Sequence, residues 1–205
     1  GQLLCLSHVS YEMERMMKTS GLSMIVAVCL LTATHAYAIP FTVDARANSS
    51  SGGTGLNTGI VLAAGDAFTV TAGVNDLWSA GALPRWSNAD GLVGNLFANG
   101  SDESGQPTGT LIGQNWGFHG QGGLSAPFGT LVGQLGSTFF ALGTNFSGVA
   151  PTGGTLRLFY WDSNNGDNSG TVVANVNTVS AVPEPSTALL LLTGLAIMTF
   201  AARRY

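Results

Sequence analysis

An all-β sandwich is the fold class this sequence predicts for its central part, on three observations. Glycine runs all along it: 26 of the chain's 29 glycines fall between residues 39 and 181. Each glycine inside a helix costs about 1 kcal/mol relative to alanine, which makes a helical domain improbable. Between the glycines sit short β-branched and aromatic runs, and turn-forming residues separate those runs. Many short strands with frequent turns are the signature of a sandwich.

In chain order, Phe41-Thr42-Val43 opens the domain, and a Gly/Ser/Asn loop leads to a strand over 58–62. Gly65-Asp66 makes a turn before residues 67–72, where apolar and small polar residues alternate. Residues 129–135 and 138–142 read as a strand pair around Gly136-Ser137, and 155–161 with 171–176 as a further pair. Residues 74–127 lack clear periodicity and read as long loops, where binding residues concentrate on a rigid scaffold.

Both ends read as export signals rather than as fold. From Met16, Lys18 supplies positive charge, residues 24–31 form an apolar core, and Ala36-Tyr37-Ala38 gives the small-x-small pattern of a secretory signal. Cleavage after Ala38 would expose Ile39. Residues before Met13 or Met16 read as a remnant or an overlong reading frame. At the far end, Pro183-Glu184-Pro185 precedes an uncharged stretch over 187–202 and then Arg203-Arg204. As a helix that stretch spans about 24 Å, slightly short of the roughly 17–25 residues of a stable span. The arginines would stay on the cytoplasmic side. The ordered pattern resembles the PEP-CTERM sorting signal of exosortase-processed bacterial surface proteins; an ordinary single-pass anchor with a proline-containing stalk is the alternative. The resemblance implies signal peptidase and exosortase as transient partners and passing residence of the C-terminal helix in the inner membrane. Its final location would be the cell envelope or the extracellular space. The chain thus divides into 1–38 (upstream residues and signal peptide), 39–181 (sandwich) and 182–205 (sorting signal or anchor).

Composition excludes several classes. The central domain has no cysteine and no lysine, and His119 is its one histidine. Three arginines stand against eight carboxylates. That balance lacks the basic footprint of a nucleic-acid binder and suits a divalent cation.

One loop carries specific chemistry. Residues 161–170, Trp-Asp-Ser-Asn-Asn-Gly-Asp-Asn-Ser-Gly, offer several side-chain oxygens, including the carboxylates of Asp162 and Asp167. Calcium takes six to eight oxygens from carboxylates, amides and carbonyls, and a glycine-punctuated loop lets Asp162 meet Asp167 and Asn168. A solvated hairpin loop is the other reading, since Asn, Asp, Gly and Ser dominate all turns.

The loop closing on Asp167-Asn168-Ser169-Gly170 resembles the calcium loop of the PA-IL-like galactose-binding lectins. Residues 58–70, which resemble that family's strand pair with its intervening Gly-Asp turn, then Ala72-Gly73, and residues 127–136 fall in the same order as in that family. The resemblance implies a galactose-binding-domain-like jelly roll in which calcium bridges protein and sugar hydroxyls. Asp162, Asp167 and Asn168 would supply side-chain ligands. Backbone carbonyls near Asn164 or Asn165, and near Leu77 or Trp78, would supply others. Carbohydrate or exopolysaccharide becomes the expected partner, and the family's habit of assembling sets the expectation of a homo-oligomer. The chain departs from the family in a shorter loop, with an Asp in place of one Asn. His119 and Gln121 are the counterparts of the family's sugar-side histidine and glutamine, at a different spacing.

Aromatic residues give a separate argument. Trp78, Trp86, Trp116 and Trp161 fall in or beside loops, and a tryptophan face stacks on the CH groups of a pyranose. Trp116 with His119 and Gln121 stands out, because the glycines around them open the loop; Trp78 is a further candidate. A glycosidase would need two carboxylates about 5–9.5 Å apart. Asp90 with Asp102 or Glu103 is the set the loops allow, but nothing in the sequence holds them so. The expectation is therefore a non-enzymatic, calcium-dependent, lectin-like protein of the envelope or polysaccharide matrix. The alternative is a structural surface protein in which calcium only stabilises the fold.

Overall fold

The computed structural model describes residues 38–178, and all its regular structure is strand. The signal-peptide core and Pro183, Glu184 and Pro185 lie outside the described residues; Ala38 is the exposed residue leading into the first strand.

Eight principal strands build the sandwich: β1 (Ile39–Asp44), β2 (Leu56–Leu62), β3 (Ala67–Ala72), β10 (Leu131–Leu135), β11 (Thr138–Ala141), β12 (Asn145–Val149), β13 (Gly154–Tyr160) and β14 (Ser169–Thr178). Six shorter strands lie within the long segment between β3 and β10: β4 (Trp78–Ser79), β5 (Trp86–Ser87), β6 (Leu96–Phe97), β7 (Leu111–Gly113), β8 (Phe118–Gln121) and β9 (Leu124–Pro127). One sheet runs β12-β3-β14, with β1 on the other edge of β14 and the β4–β5 hairpin continuing from β14. The second runs β11-β10-β13-β2. Counting only principal strands, the orders are sixth-third-eighth-first and fifth-fourth-seventh-second, the arrangement of a jelly roll.

Alternation decides which faces meet. In β14, Val172, Ala174 and Val176 are buried while Thr171 and Val173 are exposed. They pack with Phe68 and Val70 of β3 against Leu131 and Leu135 of β10 and Leu156, Leu158 and Tyr160 of β13. The outer face of the second sheet is covered as well. Val132, Phe159 and Trp161 form a separate buried cluster with Ala126, Leu124 and Phe139, beneath the hairpin of β8 and β9.

Three expectations need correction. Residues 155–161 and 171–176 do not pair: β13 joins β10 and β2, while β14 joins β1, β3 and β4. Nor does β2 pair with β3 across Gly65-Asp66. Both connections cross between sheets, because each strand finds its edge partners elsewhere while its apolar side chains meet across the core. The 136–137 turn is the local hairpin of the three, with Leu135 opposite Thr138. Finally, residues 74–127 are not loop throughout. Gly122 and Gly123, both at positive φ, make the two-residue turn of β8–β9, a conformation that L side chains resist.

This topology gathers three connections at one end of the sandwich: β1 to β2, β3 to β10, and β13 to β14. Ser50 Oγ donates to the Asp162 carbonyl at 2.9 Å and accepts the Asp162 N–H at 3.2 Å. Asn165 donates to the Arg46 carbonyl at 3.3 Å. Arg85 reaches Asp167 at 3.4 Å.

Candidate functional site

Beyond β13 the chain leaves the core through Trp161 and Asp162, both buried. The Trp161 indole N–H donates to the His119 carbonyl at 2.8 Å, tying this exit to β8. The next residues turn on their own side chains: Ser163 N–H donates to the Asp162 carboxylate at 2.7 Å, and Gly166 N–H to Asn164 Oδ1 at 3.1 Å. Asn164 Nδ2 then donates to Asp167 Oδ1 at 3.2 Å. Asn168 Nδ2 holds the Ala45 carbonyl at 3.1 Å.

Asp162, Ser163, Asn164 and Asp167 line a hollow of about 240 Å³ together with Ala80, Arg85, Trp116 and Phe128. Arg85 arrives on the loop between β4 and β5. One nitrogen, Nη1, donates to Asp167 Oδ2 at 3.4 Å and to the Ala80 carbonyl at 3.3 Å. Its guanidinium carbon lies 4.6 Å from the centre of the Trp116 ring, within cation–π range. Trp116 remains 40% exposed. Gly81, at φ +119°, lies against the same pair: a Cβ there would meet the Asp167 carboxylate and come within 3.2 Å of Arg85 Nη1.

Burial raises the Asp162 carboxyl above its ordinary pKa. Hydrogen bonds from Ser163, the Asn168 side chain and Asn164 oppose that rise, and the charge of Asp167 adds to it. Asn168, 4% exposed, keeps Oδ1 buried without a hydrogen-bond partner. A buried carboxylate beside a second carboxylate and amide oxygens is a donor set that a hard cation could fit. No group of three or more His, Cys, Asp or Glu occurs among the described residues, so a cation here would depend on amide and carbonyl oxygens beside the two carboxylates. Arg85 competes for one of them.

The sequence-predicted residues separate into groups. Asp162, Asn164, Asp167 and Trp116 come together in the hollow. Asn168 lies behind it, lining a neighbouring groove of about 640 Å³ with Asp44, Arg46 and Gly52. His119 and Gln121 do not line the hollow. They bond each other at 3.2 Å, Gln121 donates to the Ser50 carbonyl at 2.9 Å, and the His119 ring packs between Phe128 and Trp161 at 5.6 and 5.3 Å. These contacts hold the β8–β9 hairpin against the β1–β2 connection and Trp161.

Trp78 as a sugar platform is corrected. It is fully buried, its indole N–H donates to the Gly129 and Asn88 carbonyls at 2.9 and 3.2 Å, and its ring meets Tyr160 edge-on at 4.6 Å. No face is left for a ligand. Asp90 and Asp102, of the acidic set considered for hydrolysis, are likewise engaged elsewhere. Asp90 accepts from Thr144 N–H at 2.7 Å and from its hydroxyl at 3.0 Å, and Asp102 accepts from Asn99 N–H at 2.6 Å and from the Ser104 hydroxyl. Arg85 is the residue sequence reasoning missed, for an isolated arginine in a short loop carries no local signal of its partners.

Fold and hollow together define a two-sheet antiparallel jelly roll with a polar, aromatic-edged depression at one end. The chain carries a PEP-CTERM protein-sorting motif over residues 181–204, which marks it as an exported protein processed at its C-terminus. Among solved structures, the EclA N-terminal domain, described as a PllA-like lectin, is similar at 24% identity over 69% of this chain and 98% of that chain, with a TM-score of 0.45. No curated protein matches the chain.

Proposed function

We propose that this is an exported carbohydrate-binding protein whose hollow takes a calcium ion and a sugar together. One observation carries the reading: Asp162, Asn164 and Asp167, three of the four residues expected from sequence to hold calcium, line the same hollow as Trp116, the tryptophan expected to stack on a pyranose and distant from them in the chain. Asp162, Asp167 and Asn164 supply side-chain oxygens from the hollow's wall, and the buried Asn168 Oδ1 behind them, which has no hydrogen-bond donor, supports a further ligand. Bound calcium would supply a charge that sugar hydroxyls can coordinate, while Trp116 stacks on the apolar ring face. The sorting motif supports residence in the envelope or the polysaccharide matrix.

A second reading has its own support. Asn165 and Asn168 already tie the loop to the Arg46 and Ala45 carbonyls, so calcium would need only to clip the loop in a structural surface protein. Retention on immobilised galactose, with calcium and with EDTA, separates the two. The lectin reading expects retention that EDTA abolishes and that Trp116→Ala weakens without lowering the melting temperature. Calcium-dependent stabilisation with no retention on any sugar matrix would leave the clip.

A further inference from the structure

We infer that the hollow selects an acidic saccharide, one bearing a carboxylate on its pyranose ring, and that Arg85 reads that carboxylate. The inference rests on the proposed calcium and sugar site and specifies its ligand class.

Arg85 is the one cation among the residues lining the hollow. Both its hydrogen bonds leave from Nη1 and both are long, 3.3 and 3.4 Å. Within the described residues, Nε and Nη2 make none, although a guanidinium carries five N–H donors in a planar fork matched to a carboxylate. The side chain is 32% exposed and lines the hollow, so a ligand there could reach it at little desolvation cost. The Trp116 ring, 4.6 Å from the guanidinium carbon, keeps the guanidinium beside it. A pyranose on the remaining exposed surface of Trp116 would therefore carry its ring substituents beside it.

Charge points the same way. Asp162 and Asp167 against Arg85 leave the hollow one negative charge in excess, and a divalent cation reverses that to one positive. The cation also draws the Asp167 carboxylate toward itself and away from Arg85. A neutral sugar would leave the released guanidinium without a counter-charge, whereas a uronate supplies one through charge-assisted, two-pronged hydrogen bonds.

The test measures calorimetric binding of trigalacturonate and of its methyl ester, the same ring without the charge, to the full chain in mild detergent with calcium present. The acid should bind about tenfold or more tighter than the ester, and added salt should shrink the preference. Arg85→Gln should bring the two affinities together, and Arg85→Lys, which keeps charge but loses the fork, should retain part of the difference. If Arg85→Gln does not fold, Arg85→Lys decides: a preference undiminished in that variant overturns the reading by Arg85. Equal wild-type affinities, or a preference unchanged in Arg85→Gln, overturn the inference while the sugar site stands. Binding of neither ligand overturns the site and the inference together.

Discussion

Replacing Asp162 by asparagine should make the metal-free protein more stable and the calcium-loaded protein less so. Asp162 is 5% exposed, and its carboxyl is raised in pKa by burial and by the Asp167 charge despite the hydrogen bonds it accepts. Arg85 is paired with Asp167 rather than with Asp162. The folded protein therefore pays for an ionised Asp162 at neutral pH. That cost is fully present above the raised folded pKa and disappears as pH falls below the unfolded-state value, so wild type and variant should converge in acid. Asparagine keeps an oxygen for the Ser163 N–H and removes the charge. In calcium the order reverses. At about a hundred times its dissociation constant a ligand stabilises by about 2.7 kcal/mol, or roughly 8–13 °C in a domain of this length. Loss of the carboxylate ligand should cut that rise to less than about 2 °C. Scanning calorimetry of both proteins in calcium and in EDTA gives all four temperatures. A variant that melts lower than wild type in EDTA and still gains the full calcium rise would refute both the electrostatic argument and the assignment of the loop.

Other outcomes follow from the same geometry. Trp78→Phe should destabilise by about 3 kcal/mol or more in chemical denaturation, since it strands the Gly129 and Asn88 carbonyls and opens a cavity. Tyr160→Phe should cost little or even stabilise: its hydroxyl is buried without a partner, and burial together with the Asp162 and Asp167 charges pushes its pKa well up. Asp102 has a lowered pKa, held there first by the Ser104 hydroxyl and then by the Asn99 N–H. The support it gives its loop is present above the unfolded-state pKa and lost as pH falls through the lowered folded value; faster amide exchange at Asn99 and Ser104 in strong acid would show it.

Legibility in the sequence followed the range of the interactions involved. Strand β3 was readable at 67–72 because alternation is a property of adjacent residues, and the β10–β11 hairpin because Gly136-Ser137 sets its register locally. The Gly122-Gly123 turn offered an equally local signal for β8–β9 that went unread among the surrounding loop residues. Partner choice for β2 and β13 was not readable, since what decides it lies on strands far along the chain. The site divides likewise. Asp162, Asn164 and Asp167 announce themselves by composition, whereas Arg85 depends on a partner 82 positions away. Trp78 and Trp116 look alike in sequence; two carbonyls and the Tyr160 ring bury one, and the other is left at the rim.

By itself, then, the sequence determined a β-rich exported chain with a sorting motif at its end and an oxygen-rich loop after its penultimate long strand. Those features are written in composition, periodicity and short ordered motifs, which need no knowledge of the fold. Only the tertiary structure decided that the loop bridges two sheets, that Arg85 and Trp116 line the hollow beside it, that His119 and Gln121 lie outside that hollow, and that Trp78 is buried. Burial and charge pairing are properties of residues brought together by strand order, and strand order is settled by the whole core at once.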